Sequence, residues 1–395
     1  MRTVVHVSVA PNATNRAFAK ALDLPDVRLV GVLASPAQPG TYAAQVACPD
    51  PADDVLLGRA LDAVAARFGR IHRVVTTIEP LLEPVARQRA RLGIAGLSPA
   101  AAHRFRDKGA MKDALRAAGV PVAPSRRVRT LNEAREFAVA AGFPLVLKPP
   151  AGVSAAATVR VDCAAQLEAV WGGLPRPLLA EGFLTGTEHS LEAFVLNGEV
   201  RFHSITRYAA TPLAVAENPN LQWVVLLPRD LSAFAGPARV IARALTALGM
   251  DDGVAHVEWF WRPDGTVAVG EIGARPPGAS FLDLHGHAHD ADVRRVWARL
   301  VVDSVWEGPL SRRYAVAGVY LRGPGAGRVV AVDGIAEAQA AMGAHVVEAR
   351  LPKLGQPRAS GYEGDGLVII RHPDDAVVRA AVATLLRTVR VRYAT

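Results

Sequence analysis

Residues 254–278, VAHVEWFWRPDGTVAVGEIGARPPG, place two glutamates, Glu258 and Glu271, on neighbouring antiparallel strands. Pro263-Asp264-Gly265 is a tight-turn signature, and the apolar runs VEWFW and TVAVG flank it. With Pro263 and Asp264 as a two-residue loop, Glu258 falls opposite Val269, and Glu271 projects from the same face one diagonal step away. Two carboxylates closing on a largely apolar hairpin repel each other and resist desolvation, so they either face open water or share a cation. Mg²⁺ held between them is one reading; a pair of solvated strand glutamates is the other.

Length and composition limit what surrounds this hairpin. A chain of 395 residues exceeds one ordinary core, and 50% hydrophobic with 21% charged residues indicates a globular protein of several subdomains. The net charge of +8 suits anionic small molecules or an acidic protein partner. No dense basic run with interleaved aromatics occurs, so nucleic acid is not an expected partner. Only five of the 45 basic residues are lysines (Lys20, Lys108, Lys112, Lys148 and Lys353), which makes each lysine informative. Cys48 and Cys163 stand far apart without metal or disulfide spacing, as expected in a reducing cytoplasm. The opening TVVHVSVA is short and polar for a signal peptide, and no run approaches the ~18 apolar residues of a membrane span, so no membrane association is expected.

Along the chain, apolar runs at 3–10, 27–33 and 74–78 predict strands, and periodic stretches at 15–22, 55–68 and 81–91 predict helices. This alternation reads as a parallel α/β layer. It lacks GxGxxG, so no dinucleotide is assigned to it. One helix is predicted over 98–118, carrying Asp107-Lys108. FPLVLK (143–148) is a buried strand that delivers Lys148 to a loop of small residues, PPAGVSAAAT, where backbone and a point charge would meet an anionic ligand; a solvent-facing lysine is the alternative. PLLAEGFLTGTEHSLEAFVL (177–196) reads as strand, linker, strand and gathers Glu181, Glu188 and Glu192.

Taken in order, Asp107-Lys108, FPLVLKPP, LLAEGFLTGTEHSLEAF, HVEWF and GEIGARPPG resemble the ATP-grasp superfamily over roughly 98–278. The resemblance implies an α/β fold, α+β in parts: an N-terminal parallel α/β domain (1–107), a small (108–190) and a large (191–310) subdomain enclosing an ATP cleft, and a C-terminal α+β cap (311–395). It implies that Lys108, Lys148 and Ser154 bind the ATP phosphates. Glu181, Phe183 and Leu184 would form the adenine hinge, and Glu188 would meet the ribose. Glu258 and Glu271 would hold Mg²⁺, for which Mn²⁺ can substitute, and Arg275 would meet the transferred phosphoryl group. Three features depart from the family pattern. Gly273 stands where an asparagine metal ligand is common. Ala155-Ala156-Ala157 replaces a glycine-rich lid, which suggests a stiffer one. Pro276-Pro277-Gly278-Ala279-Ser280 follows Arg275 where biotin carboxylases carry Gln-Val-Glu-His.

That last departure favours the carboxylate–amine ligases of the superfamily, of the L-amino-acid-ligase kind. The expected reaction forms an amide through an acyl phosphate and releases ADP and phosphate, with Arg275 stabilising the reacting charge. Arg207, Ser280 and His285 are the candidate substrate contacts. His285, His287 and His289 are read as pocket lining or a solvated face in preference to a metal cluster. The expected substrates are a small-molecule carboxylate and amine. The alternatives are a ligase charging an acidic carrier protein, a biotin-carboxylase-like carboxylase and a non-catalytic ATP-binding regulator; a homodimer is left open.

Overall fold

The computed structural model describes residues 1–9, 12–152, 157–218 and 220–394. Ser154, Ala155 and Ala156 lie outside the described residues. Among the described residues the strands form four sheets.

The first is parallel, in the order Ala44–Ala47, Val27–Leu33, Arg2–Ser8, Ile71–Val75. Its valine-rich strands are buried on both faces, as parallel strands between helices must be. Helices start where a short polar side chain accepts the free backbone N–H groups: Asn12 caps Ala13–Leu22, and Asp53 caps Asp54–Phe68. The last strand ends at Val75, earlier than the sequence pattern suggested, because the Thr76 hydroxyl accepts the Ile78 N–H and turns the chain out of the sheet. The short 3₁₀ turn Glu79–Leu81 follows at the carboxyl end of the strand, where ligands of open parallel sheets collect.

The single helix expected over 98–118 is instead two, Pro99–Arg106 and Lys108–Ala117. Asp107 is extended (φ −94°, ψ 110°), and its carboxylate accepts the Ala110 N–H at 2.8 Å and the Arg127 guanidinium at 2.6 Å. Capping therefore outweighs continuation, and it sets Lys108 on the first turn of the new helix. The Lys108 N–H donates to the Pro150 carbonyl at 2.9 Å, tying this turn to the loop after Lys148.

A second four-stranded sheet, antiparallel, runs Ser125–Val128, Leu178–Gly182, Leu145–Lys148, Val159–Val161. The largest sheet has eight antiparallel strands. Its order is Val267–Gly273, Gly253–Trp261, Thr187–Leu196, Glu199–Tyr208, Trp223–Leu227, Ala315–Leu321, Gly366–His372, Val346–Arg350. The last three belong to the segment expected as a C-terminal cap. Ala315–Leu321 pairs along its length with Trp223–Leu227, so hydrogen bonding runs unbroken across the boundary placed between 310 and 311. Among the described residues no helix is long and apolar enough to cross a membrane.

Candidate active site

The register of the large sheet decides which side chains share its ligand face. The turn of the glutamate hairpin holds three residues, not two. Arg262 N–H donates to Thr266 at 2.9 Å, and Gly265 N–H to Arg262 at 3.0 Å with Gly265 at φ +80°. Trp259, not Glu258, therefore pairs with Val269. Left uncorrected, that slip would turn Glu271 to the opposite face from Glu258. A bulge at Gly270 restores it, and Glu258 sits directly opposite Glu271. A Cβ at Gly270 would meet the Glu258 carbonyl at 3.2 Å and the Phe260 ring at 3.3 Å, so the bulge suits glycine.

Glu258 pairs in turn with Ser190, and Ser190 with Thr206, so these residues form one cross-strand row. Glu188, two residues before Ser190, shares the face. Arg207 pairs with His189 and belongs to the other face; Tyr208, one residue on, lines the cleft. The alternation of side chains thus leaves Arg207, expected as a substrate contact, outside the lining of this cleft. Ser280 is also outside: its hydroxyl accepts from Arg350 at 2.8 Å, while its neighbours Ala279 and Phe281 line the cleft. His285 is buried beneath the floor, 2.6 Å from Glu192 and 2.6 Å from the Ser204 hydroxyl. His289 is buried beside it, and His287 points to Glu348 at 3.8 Å.

The cleft, of about 490 Å³, lies where the small sheet, the large sheet and the 3₁₀ turn meet. It brings together Lys108, Lys148, Glu181, Phe183, Leu184, Glu188, Glu258, Glu271 and Arg275 from the sequence-derived set. Lys108 pairs with Glu271 at 3.0 Å and also donates to the Gly152 carbonyl at 3.1 Å. Lys148 pairs with Glu181 at 3.1 Å, and Lys112 approaches the same carboxylate oxygen at 3.4 Å. Lys112, 1% exposed, was not singled out from sequence; its signal was its rarity and its helical spacing of four from Lys108.

Electrostatics divide these groups. Burial opposes ionisation of Glu181, but Lys112 and Lys148 outweigh it and hold the carboxyl below its usual range. Burial likewise works against charge on Lys148, which Glu181 and Glu271 overcome, raising it. Glu271 is lowered in spite of burial by Lys108 and Lys148. Glu188 differs: burial and then the Glu258 charge push it well above the carboxylate range. Glu188 and Glu258 are thus two acids crowded on one face, while Glu271 is matched by Lys108 and Lys148. Carboxylate oxygen is the donor type that Mg²⁺ and Mn²⁺ prefer, so the donor set fits a divalent ion. No group of three or more His, Cys, Asp or Glu side chains able to hold a metal occurs among the described residues.

The structure adds residues that sequence reasoning missed. Glu79 accepts from Arg275 Nη2 at 2.9 Å and Nε at 3.1 Å, and from Arg106 at 3.3 Å. Tyr208, Trp223, Phe281 and Tyr362 form an aromatic wall, with Trp223 4.7 Å from Tyr362 and 5.5 Å from Tyr208 between ring centroids. For Glu79, the signal was an acid just beyond a parallel strand; for the wall, whose members come from four separate segments, there was none.

Gly186 closes the hinge. It sits at φ +134°, where a Cβ would lie 2.2 Å from the Trp261 carbonyl oxygen. Gly186→Ala is expected to lower stability by about 1–3 kcal/mol through backbone strain and to displace the Phe183–Leu184 segment. Denaturant unfolding checks the first effect and nucleotide titration the second; an unchanged midpoint would count against the tight approach.

No family model matches the chain. In sequence it is 25% identical over 241 residues to the L-arginine-specific L-amino acid ligase of Bacillus subtilis, spanning 59% of this chain and 58% of that protein. It is 40% identical over 86 residues to alanine–anticapsin ligase of Bacillus subtilis strain 168, spanning 22% of this chain and 18% of that one. The crystal structure of an L-amino acid ligase from Bacillus licheniformis superposes on it with a TM-score of 0.81 at 21% identity, over 100% of both chains. The chain has the ATP-grasp fold. The cleft described above lies between the small and large antiparallel sheets of this fold. The chain spans about half the length of the curated relatives it matches.

Proposed function

We propose that the protein is an ATP-dependent carboxylate–amine ligase of the L-amino-acid-ligase kind. The observation that carries this reading is the convergence, in one ATP-grasp cleft, of Lys108 and Lys148, the facing pair Glu258 and Glu271, and Arg275. Phosphoryl transfer needs positioning and charge neutralisation more than a covalent side chain, and this set supplies both.

ATP fits the cleft by its chemistry. The buried Glu181 Oε1 has no hydrogen-bond partner among the described residues, leaving an acceptor beside the hinge formed by Phe183 and Leu184. Lys108 and Lys148 would exchange part of their pairing with Glu271 and Glu181 for phosphate oxygens. Mg²⁺ or Mn²⁺, held by Glu258 and Glu271 with those oxygens, would supply neutralisation of the phosphate charge. In the reaction, a substrate carboxylate oxygen attacks the terminal phosphorus and ADP leaves. An amine nitrogen then attacks the acyl carbon, phosphate leaves, and the nitrogen loses a proton to give the amide. Arg275, fixed by Glu79, would stabilise negative charge on the acyl phosphate and its tetrahedral adduct. The aromatic wall of Tyr208, Trp223, Phe281 and Tyr362 gives the carboxylate and amine substrates a dry surface on the far side of the acids.

Screening amino acids and small acids in pairs for ATP-dependent condensation tests this reading. Nucleotide chromatography after turnover is expected to show ADP and phosphate. AMP and pyrophosphate would refute the acyl-phosphate route, and ATP binding without substrate-dependent turnover would favour a regulator.

A further inference from the structure

Behind the acids runs a buried polar row that the proposed reaction does not use. His256, Glu192 and Ser204 lie side by side on three adjacent strands, one row deeper than Glu258, Ser190 and Thr206. Glu192 is wholly buried, 0% exposed. The Ser190 hydroxyl donates to Oε1 at 2.9 Å, and His256 Nδ1 meets the same oxygen at 2.8 Å. His285 Nε2, from the helix Phe281–His289, lies 2.6 Å from Oε2. The far nitrogen of His285 meets the Ser204 hydroxyl at 2.6 Å, which accepts from Arg312 at 2.6 Å. On the cleft side, His256 Nε2 lies 3.6 Å from Glu258 Oε1. Both nitrogens of the ring are thereby engaged, so the position of Glu192 dictates the plane in which His256 presents its edge to Glu258.

The two facing carboxylates are held differently. Glu271 has Lys108 at 3.0 Å, whereas the ion pair recorded for Glu258 among the described residues is the one to His256. A fully buried carboxylate is costly and adds little net stability even when paired, so its presence here calls for another role. Partners that orient a ligating side chain from behind typically change metal affinity by ~10- to 100-fold when removed.

We infer that Glu192 is a positioning residue for the divalent-ion site, acting through His256 on Glu258, with His285 and Ser204 as the brace that fixes it from the opposite side. The inference rests on reading Glu258 and Glu271 as the metal carboxylates. Its consequence is that metal affinity depends on His285, a residue that touches neither Glu258 nor the cleft.

The test is Mn²⁺ binding to the full chain with a non-hydrolysable ATP analogue, followed by the EPR signal of free Mn²⁺, with metal-free nucleotide affinity and melting temperature measured alongside. Glu192→Gln is expected to weaken Mn²⁺ by ~10- to 100-fold and His285→Gln by ~10-fold, with metal-free nucleotide affinity unchanged. His289→Gln, also buried and joined to the row, among the described residues, through Ser204 at 3.4 Å, should keep the parent affinity for Mn²⁺. A merely structural role would lower the melting temperature in all three variants without separating metal from nucleotide binding. If Glu192→Gln does not fold, His285→Gln decides. Parent-like Mn²⁺ affinity in folded His285→Gln overturns the inference. Parent-like affinity in Glu258→Gln overturns the metal-site reading itself, and the inference with it.

Discussion

Glu271→Gln is expected to lower kcat by about 10³-fold while leaving the fold intact. The size follows from losing charge neutralisation at the transferring phosphoryl group, where removing a single stabilising group costs ~10²- to 10³-fold and loss of metal coordination adds to it. Glutamine keeps the shape of the side chain but removes the charge that faces Glu258 across the hairpin and pairs with Lys108 at 3.0 Å. Freed Lys108 would keep its contact with the Gly152 carbonyl, so nucleotide binding should suffer less than turnover. Stability should fall by about 1–3 kcal/mol without loss of the fold, since Lys108, 7% exposed, loses its carboxylate partner while Glu271, 29% exposed, lies on the edge strand Val267–Gly273. Steady-state ADP release with a thermal melt separates these effects. Full activity at ordinary Mg²⁺ would remove Glu271 from the metal site.

Arg275→Met is expected to cost about 10²- to 10³-fold in kcat with ATP affinity nearly unchanged, because its charge is needed where the acyl phosphate and tetrahedral adduct develop theirs. The side chain lies in the cleft with Nε and Nη2 both on one oxygen of Glu79, so its guanidinium is held before substrate arrives. Arg275→Lys should recover only part of the rate, since one ammonium cannot reproduce two donors in a fixed plane. Glu79 retains Arg106 at 3.3 Å in either variant, which limits the destabilisation. Unaltered kcat in Arg275→Met, with the product ratio unchanged, would place the stabilising group elsewhere.

Much of the site was legible because it depends on local pattern. Alternating apolar runs around Pro263-Asp264-Gly265 identified the hairpin, and apolar FPLVLK identified the strand that carries Lys148 to its end. The arginine-dominated composition made Lys108 and Lys148 stand out, and both line the cleft. Where one residue of phase mattered, pattern was not enough. Arg207 and Tyr208 are adjacent, and only the pairing of Arg207 with His189 shows that the tyrosine takes the cleft side. A three-residue turn and the Gly270 bulge each shift the register by one, and together they leave Glu258 and Glu271 facing. Helix propensity ran through Asp107 without a break, but its carboxylate is engaged by the Ala110 N–H and by Arg127, a partner twenty residues away.

By itself, the sequence determined the order of elements, the acids and lysines that share a cleft, and the superfamily they resemble. These rest on periodicity, turn chemistry and composition, all of which act over a few residues. The tertiary structure alone decided that Glu79 meets Arg275, that Tyr208, Trp223, Phe281 and Tyr362 form one wall, and that His285 lies against Glu192 beneath the cleft floor. Partners on separate elements, as far as 196 residues apart for Glu79 and Arg275, are chosen by sheet pairing and helix docking, whose free energies come from burial across the whole molecule and leave no local mark on the chain.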